Sequence, residues 1–96
     1  GIAQGIGLAL MEEYLPGRTE NLHDYLIPSM GDVPPIEVIL VEHAEPLGPF
    51  GAKGVGEPAL VATAPAILSA IRDATGAEVT RLPALPHRVL EAMGHG

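Results

Sequence analysis

Residues 48–58, with the sequence GPFGAKGVGEP, place four glycines and two prolines within one short stretch. Glycine adopts positive φ and lets another group approach the backbone closely, so such a run exposes several N–H groups to an anion. Pro58 suits the first turn of a helix, which puts Glu57 at the N-cap or beside it. The stretch therefore predicts a backbone cradle for an anionic group, with one carboxylate at its edge and the remaining chain as its scaffold.

Composition narrows the class of protein. A net charge of −7 with only five Lys and Arg residues excludes the basic stripe that nucleic-acid binding needs. No apolar run approaches the ~18 residues of a membrane-spanning helix. The chain has no cysteine, which excludes disulfides, cysteine nucleophiles and Cys-ligated clusters within it. Its 96 residues include 12 glycines and 10 prolines, a high share for an independent fold, and we expect a piece of a larger polypeptide.

The hydrophobic pattern before the glycine-rich stretch predicts one helix and one strand. Apolar residues recur at helical spacing in residues 1–15, where Gly1 and Gly5 share a face that suits close packing against another backbone. Leu15-Pro16-Gly17 should end that helix. Residues 36–42, with the sequence IEVILVE, are typical of a strand covered on both faces.

The pattern after the glycine-rich stretch predicts two further helices and a second strand. An apolar stripe over residues 60–74 ends at Gly76, and Pro65 within it predicts a kink, or a short turn and a new helix capped by Thr63. Residues 78–82 suit a short strand, and Pro86 should open a last helix over about 87–93. The order predicts an α+β fold, a few-stranded sheet packed with helices.

The chemistry that spacing alone indicates stays open between alternatives. Glu57 fits an acid favoured by a helix dipole, or a general base in a dry cleft, and spacing favours the first. Lys53 is more often solvated than functional at such a position. Residues 54–59 match the G-x-G-x-x-A dinucleotide fingerprint, but no strand directly precedes them. The histidines lack the spacing of metal ligands: His23, His43, His87 and His95.

The loop also resembles a known catalytic motif. Residues 46–60, PLGPFGAKGVGEPAL, are similar to the C-terminal part of the molybdenum-binding subunit of the xanthine dehydrogenase/aldehyde oxidase family. Further segments resemble that family in the same order: QGIGLALMEE at 4–13, DYLIPSMGDVPPIEVILVE at 24–42, TAPAILSAI at 63–71 and LPALPHRVLEAM at 82–93.

The resemblance implies a site and its cofactors. Residues 1–96 would form the C-terminal, incomplete part of a larger molybdopterin-binding domain. Glu57 would be the general base that takes a proton from a water-derived oxygen while an aldehyde or N-heterocycle is hydroxylated. Lys53, Gly54, Val55 and Gly56 would lie against the molybdenum-molybdopterin cofactor, with no metal ligand from this chain.

The resemblance also implies partners and a location. Most cofactor and substrate contacts would come from the remainder of the molybdenum subunit, and iron–sulfur clusters and FAD would sit on partner domains or subunits. We expect a cytoplasmic oligomer that acts on a small molecule, and an isolated chain that is inactive and self-associates through exposed apolar surface. Two alternatives stay open: a non-catalytic assembly module of the same fold, and a small anion- or nucleotide-binding domain.

Overall fold

The computed structural model describes residues 1–94, and all of the regular secondary structure it assigns there is helical. The helices are α1 (Ile2–Leu10), α2 (Pro58–Val61), α3 (Thr63–Thr75) and α4 (Pro86–Ala92), with single 3-10 turns at Met30–Asp32 and Pro49–Gly51. None of these helices combines the length and the apolarity that crossing a membrane requires.

Glycines bring α1 against α2 and α3. A Cβ added to Gly5 would lie 2.4 Å from the Cβ of Thr63, and one added to Gly1 would lie 2.6 Å from that of Ala59. Contacts this short leave no room for a side chain, so both positions require glycine. The predicted close packing of this helix face is confirmed.

Small side chains make up the buried interior. Its apolar members among residues 1–94 are Ile6, Ala9, Ala64, Ala77 and Ala84, and no large side chain there is fully buried. The Ala84 N–H donates to the Ala9 carbonyl at 2.6 Å, which ties the segment before α4 to the end of α1. Because alanine buries little area, this interior contributes little hydrophobic stabilisation.

The first helix is shorter than predicted. It ends at Leu10, because the Gly7 carbonyl accepts hydrogen bonds from the N–H groups of both Met11 and Glu12, at 2.9 and 2.8 Å. The chain then turns away, and the Glu12 carboxylate accepts a hydrogen bond from the Tyr25 hydroxyl at 2.9 Å. The helix therefore ends at these backbone hydrogen bonds, before Pro16 is reached.

The helical segment after the loop is divided into two helices, which is one of the two predicted alternatives. The short α2 ends at Val61, and α3 runs from Thr63 to Thr75. Gly76 follows it with a φ of 75°, which gives the left-handed cap expected there. The predicted capping role of Thr63 is wrong: Ala62 is the N-cap, and the Thr63 hydroxyl donates to the Ala59 carbonyl at 2.9 Å. That bond joins the end of one helix to the start of the next.

Both predicted strands, and with them the α+β fold, are wrong. Neither residues 36–42 nor residues 78–82 form a strand, and no strand is assigned anywhere in residues 1–94. A strand is defined by hydrogen bonds to a neighbouring strand, and the described chain supplies no partner for either segment. Residues 36–42, expected to be covered on both faces, are exposed. The few-stranded sheet is therefore replaced by a small helical cluster with long irregular segments.

The last helix, predicted at about 87–93, is confirmed at Pro86–Ala92, and a partly buried contact holds it. The guanidinium of Arg88 donates to the Glu13 carboxylate at 2.5 Å and to the Pro83 carbonyl at 2.8 Å. Arg81 also approaches Glu13, at 3.7 Å. The contact bridges residues that lie 75 positions apart and holds the two ends of the chain together.

The chain exposes far more surface than a folded protein of its size. Its accessible area is 7528 Å², against roughly 5,200 Å² for a compact monomer of 9.9 kDa. Its radius of gyration is 16.8 Å, where a compact chain of 96 residues has about 12.5 Å. The helical cluster covers only part of the chain, and the irregular segments extend from it.

Candidate active site

The first half of the glycine-rich loop is held by its own backbone. Gly51 accepts a hydrogen bond from the N–H of Glu45 at 3.1 Å, and its own N–H donates to Gly48 at 3.2 Å. A Cβ added to Gly51 would lie 2.8 Å from that of Ala44, and its φ is +72°. This position thus requires glycine twice over, for its backbone angle and for space.

Phe50 has an unusual backbone conformation within that turn. Its φ is 54° and its ψ 19°, and it is the one non-glycine residue with positive φ in residues 1–94. Its side chain is fully exposed. The local sequence Pro-Phe-Gly marks a turn, but it gave no signal for either feature.

A groove of about 600 Å³ runs beside the loop. Its lining consists of residues 39–44, Phe50, Gly51 and residues 53–55. The groove thus collects three of the four predicted cofactor-binding residues, Lys53, Gly54 and Val55. Because the lining ends at Val55, the structure does not bring Gly56 or Glu57 into it.

Gly54 and Gly56 have no structural reason to be glycine within this chain. Neither has a positive φ, and a Cβ added to either would meet no atom within 4 Å. No other glycine in residues 1–94 combines these two properties. Their backbone is therefore open to a group from outside the described chain.

One pair of basic side chains lies at the groove. The Lys53 ammonium donates to Nδ1 of His43 at 3.4 Å, and both residues line the groove. Sequence reasoning missed His43, because nothing local links it to a lysine ten residues further along. Of the other histidines, His95 lies outside the described residues.

Glu57 occupies the N-cap of α2, and Pro58 is the first residue of that helix, as predicted. Its side chain is exposed and makes no capping hydrogen bond. Since α2 has only four residues, a helix dipole offers this carboxylate little. The explanation of Glu57 as a helix-start acid thus loses its physical basis, and its role as a base stays a prediction.

Hydrogen bonds shift the pKa of two side chains in the irregular segment after α1. The hydrogen bond to Glu12, helped by burial and by the charge of that carboxylate, raises the pKa of Tyr25. The N–H and hydroxyl of Ser29 donate to Asp32 at 2.8 and 2.9 Å and lower the pKa of that carboxyl, partly offset by burial. Across residues 1–94, no three His, Asp or Glu side chains come together in a way that could hold a metal ion.

Comparison with known proteins connects this loop to molybdenum enzymes. The chain is 44% identical over 98 residues to an aldehyde oxidoreductase of Megalodesulfovibrio gigas, a match covering 97% of the chain and 10% of the relative. It is 40% identical over 97 residues to a putative xanthine dehydrogenase molybdenum-binding subunit of Escherichia coli, covering 95% and 13%.

A solved structure agrees with these sequence matches. The crystal structure of the aldehyde oxidoreductase from Desulfovibrio desulfuricans matches the chain with a TM-score of 0.91 and 47% identity, over 97% of this chain and 10% of that one. Over this segment, the chain is homologous to aldehyde oxidoreductases and to xanthine dehydrogenase molybdenum-binding subunits. No protein-family model matches the chain.

The family resemblance is thus confirmed, but only for a small piece of a large subunit. The chain spans 10–13% of the length of these molybdenum-dependent relatives. The dinucleotide alternative loses support, because no strand leads into the loop within residues 1–94 and α2 is a single turn.

Proposed function

We propose that the chain forms part of the cofactor site of a molybdenum hydroxylase subunit, in which Glu57 is the general base. The substrate class is an aldehyde or an N-heterocycle such as a purine, and water supplies the oxygen. The names of the two relatives support this class, one an aldehyde oxidoreductase and the other a putative xanthine dehydrogenase subunit. The oxidoreductase activity belongs to the whole subunit, and we expect the isolated chain to be inactive.

The residues of the loop fit an anionic cofactor. Gly54 and Gly56 leave the backbone bare on both sides of Val55, and Lys53 adds a positive charge at the same groove. Backbone N–H groups and one ammonium are the donors that bind a phosphate or a pterin oxygen. Lys53, Gly54, Val55 and Gly56 would hold the molybdenum-molybdopterin cofactor from one side, and the remainder of the subunit would hold it from the others.

Glu57 would move the proton. When bound, the cofactor supplies the two-electron redox chemistry. The carboxylate of Glu57 accepts a proton from the water-derived nucleophile as that oxygen attacks the electrophilic carbon of the substrate. A carboxylate that makes no capping bond keeps its oxygens available for this transfer. General bases of this kind contribute roughly 10²–10⁴-fold to a rate.

The openness of Gly54 and Gly56 is the observation that carries this proposal. Elsewhere in residues 1–94, a positive φ or a nearby atom accounts for almost every glycine, and these two have neither. The acid follows directly after them. A large ligand that approaches the backbone at residues 54–56 explains both glycines and brings that ligand next to Glu57.

The test is turnover of the complete subunit carrying Glu57→Gln, with its cofactors loaded. Loss of the base should lower kcat by about 10²-fold or more, while molybdenum content stays normal. The matched control is Glu37→Gln, an exposed carboxylate outside the groove, which should leave kcat unchanged. Near-normal turnover in Glu57→Gln would exclude the base role and favour the assembly module.

The partners follow from the same proposal. The remainder of the molybdenum subunit would complete the site, and iron–sulfur and flavin groups on partner domains or subunits would remove the electrons. An oligomeric assembly and a cytoplasmic location stay predictions from the resemblance.

A further inference from the structure

Phe50 combines two unfavourable features in one residue. A left-handed backbone conformation is strained for a non-glycine residue, and the ring of Phe50 is 108% exposed, as much as in an extended chain. Glycine would remove the strain, and a polar side chain would suit water better. A contact from outside residues 1–94 would account for an aromatic residue held in this way.

Two apolar side chains that line the same groove as Phe50 are also strongly exposed. They are Val41, which is 87% exposed, and Val55, which is 79% exposed. Together these three side chains form an apolar patch around a concave surface. An aromatic side chain at such a place is typical of an interface anchor.

The size of the bare surface indicates what covers it. The chain exposes about 2,300 Å² more than a compact monomer of its mass, which is comparable to the roughly 1,000–2,500 Å² that each partner buries in a permanent interface. The relatives are eight to ten times as long as the region they share with this chain, since the match covers 10–13% of their length. The remaining polypeptide of the same subunit is therefore large enough to bury it.

We propose that Phe50 is an anchor that inserts into an apolar cavity of the remaining polypeptide of the subunit, with Val41 and Val55 packed around it. The inference rests on the proposed function only in taking the chain as part of such a subunit. The left-handed turn projects the ring outward, and backbone hydrogen bonds on both sides hold that turn rigid. The anchor thus fixes the loop just before the open backbone of residues 54–56.

Hydroxyl-radical footprinting of the complete, unmodified subunit tests this directly. Oxidation of Phe50 is read by mass spectrometry in the native subunit and in the same subunit unfolded in denaturant. We expect at least about tenfold slower oxidation in the native state, because burial excludes the radical. A smaller difference overturns the inference. Protection that disappears when the subunit is diluted also overturns the inference, because a second copy of the subunit would then be what covers Phe50.

Two variants separate contact from strain. Phe50→Ala and Phe50→Gly both remove the ring, but only glycine also relieves the backbone. If the ring is an anchor, both variants should speed hydrogen exchange of amides 50–53 in the complete subunit. The control is Met30→Ala, at another exposed turn, which should leave the exchange of these amides unchanged. Slower exchange in Phe50→Gly than in the natural protein would overturn the inference.

The outcome is independent of the base role. A protected Phe50 together with normal turnover of Glu57→Gln would retain the anchor and reject the catalytic proposal. An oxidised Phe50 together with inactive Glu57→Gln would do the reverse.

Discussion

Replacing Arg88 with methionine should loosen the last helix by about 2 kcal/mol. The guanidinium makes two hydrogen bonds, to Glu13 and to the Pro83 carbonyl, and its side chain is only 13% exposed. Breaking a fully buried pair costs roughly 3–5 kcal/mol, and an exposed pair roughly 0–1 kcal/mol. Glu13 is 21% exposed and also lies 3.7 Å from Arg81. The cost of breaking the Arg88–Glu13 pair should therefore fall between these two limits.

Hydrogen exchange of the α4 amides in the complete subunit measures this change. A loss of about 2 kcal/mol corresponds to roughly 30-fold faster exchange. The control is Arg72→Met, which breaks the ion pair of Arg72 with Glu78, where both side chains are about two-thirds exposed. That variant should change exchange of the amides at the end of α3 by no more than about fivefold. Equal effects of the two substitutions would refute the argument from burial.

A double-mutant cycle identifies the partner. Glu13→Gln combined with Arg88→Met should cost less than the sum of the single changes, because the second substitution removes a bond that the first has already weakened. Additive costs would show that Arg88 acts through its contact with Pro83 alone.

Two further predictions concern the fold. Gly5→Ala should destabilise the α1–α3 contact by about 1–3 kcal/mol, because the new Cβ would lie 2.4 Å from that of Thr63. This cost exceeds the ~1 kcal/mol that alanine gains over glycine in helix propensity. A higher thermal midpoint of the complete subunit would contradict this prediction. Because the hydrogen bonds from Ser29 lower the pKa of Asp32, the turn at Met30–Asp32 should be fully stabilised above the ordinary carboxyl pKa and should loosen as the pH falls through the lowered value. Exchange of its amides followed against pH should show this dependence, and Asp32→Asn should abolish it.

Local rules predicted the features that depend on neighbouring residues. Gly76 ends α3 as a left-handed cap, and Pro58 opens α2 after Glu57, since backbone angle and a missing N–H are properties of one residue. The glycine face of α1 followed from helical spacing. These features do not require knowledge of the rest of the chain.

The features that failed depend on distant or absent partners. Residues 36–42 have the composition of a buried strand, but no segment of the described chain pairs with them. The contacts of Glu13 with Arg88 and of His43 with Lys53 join positions that no local pattern connects. In the loop, the motif was recognisable, whereas the outward ring of Phe50 required the backbone angles.

The alanine-rich interior has a consequence for building hybrid enzymes. A segment whose own side chains bury so little takes its shape largely from whatever encloses it. Exchanging residues 1–96 alone between two relatives should give a poorly assembled hybrid even at high sequence identity. Swaps should succeed when the enclosing polypeptide is transferred with the segment, as one block.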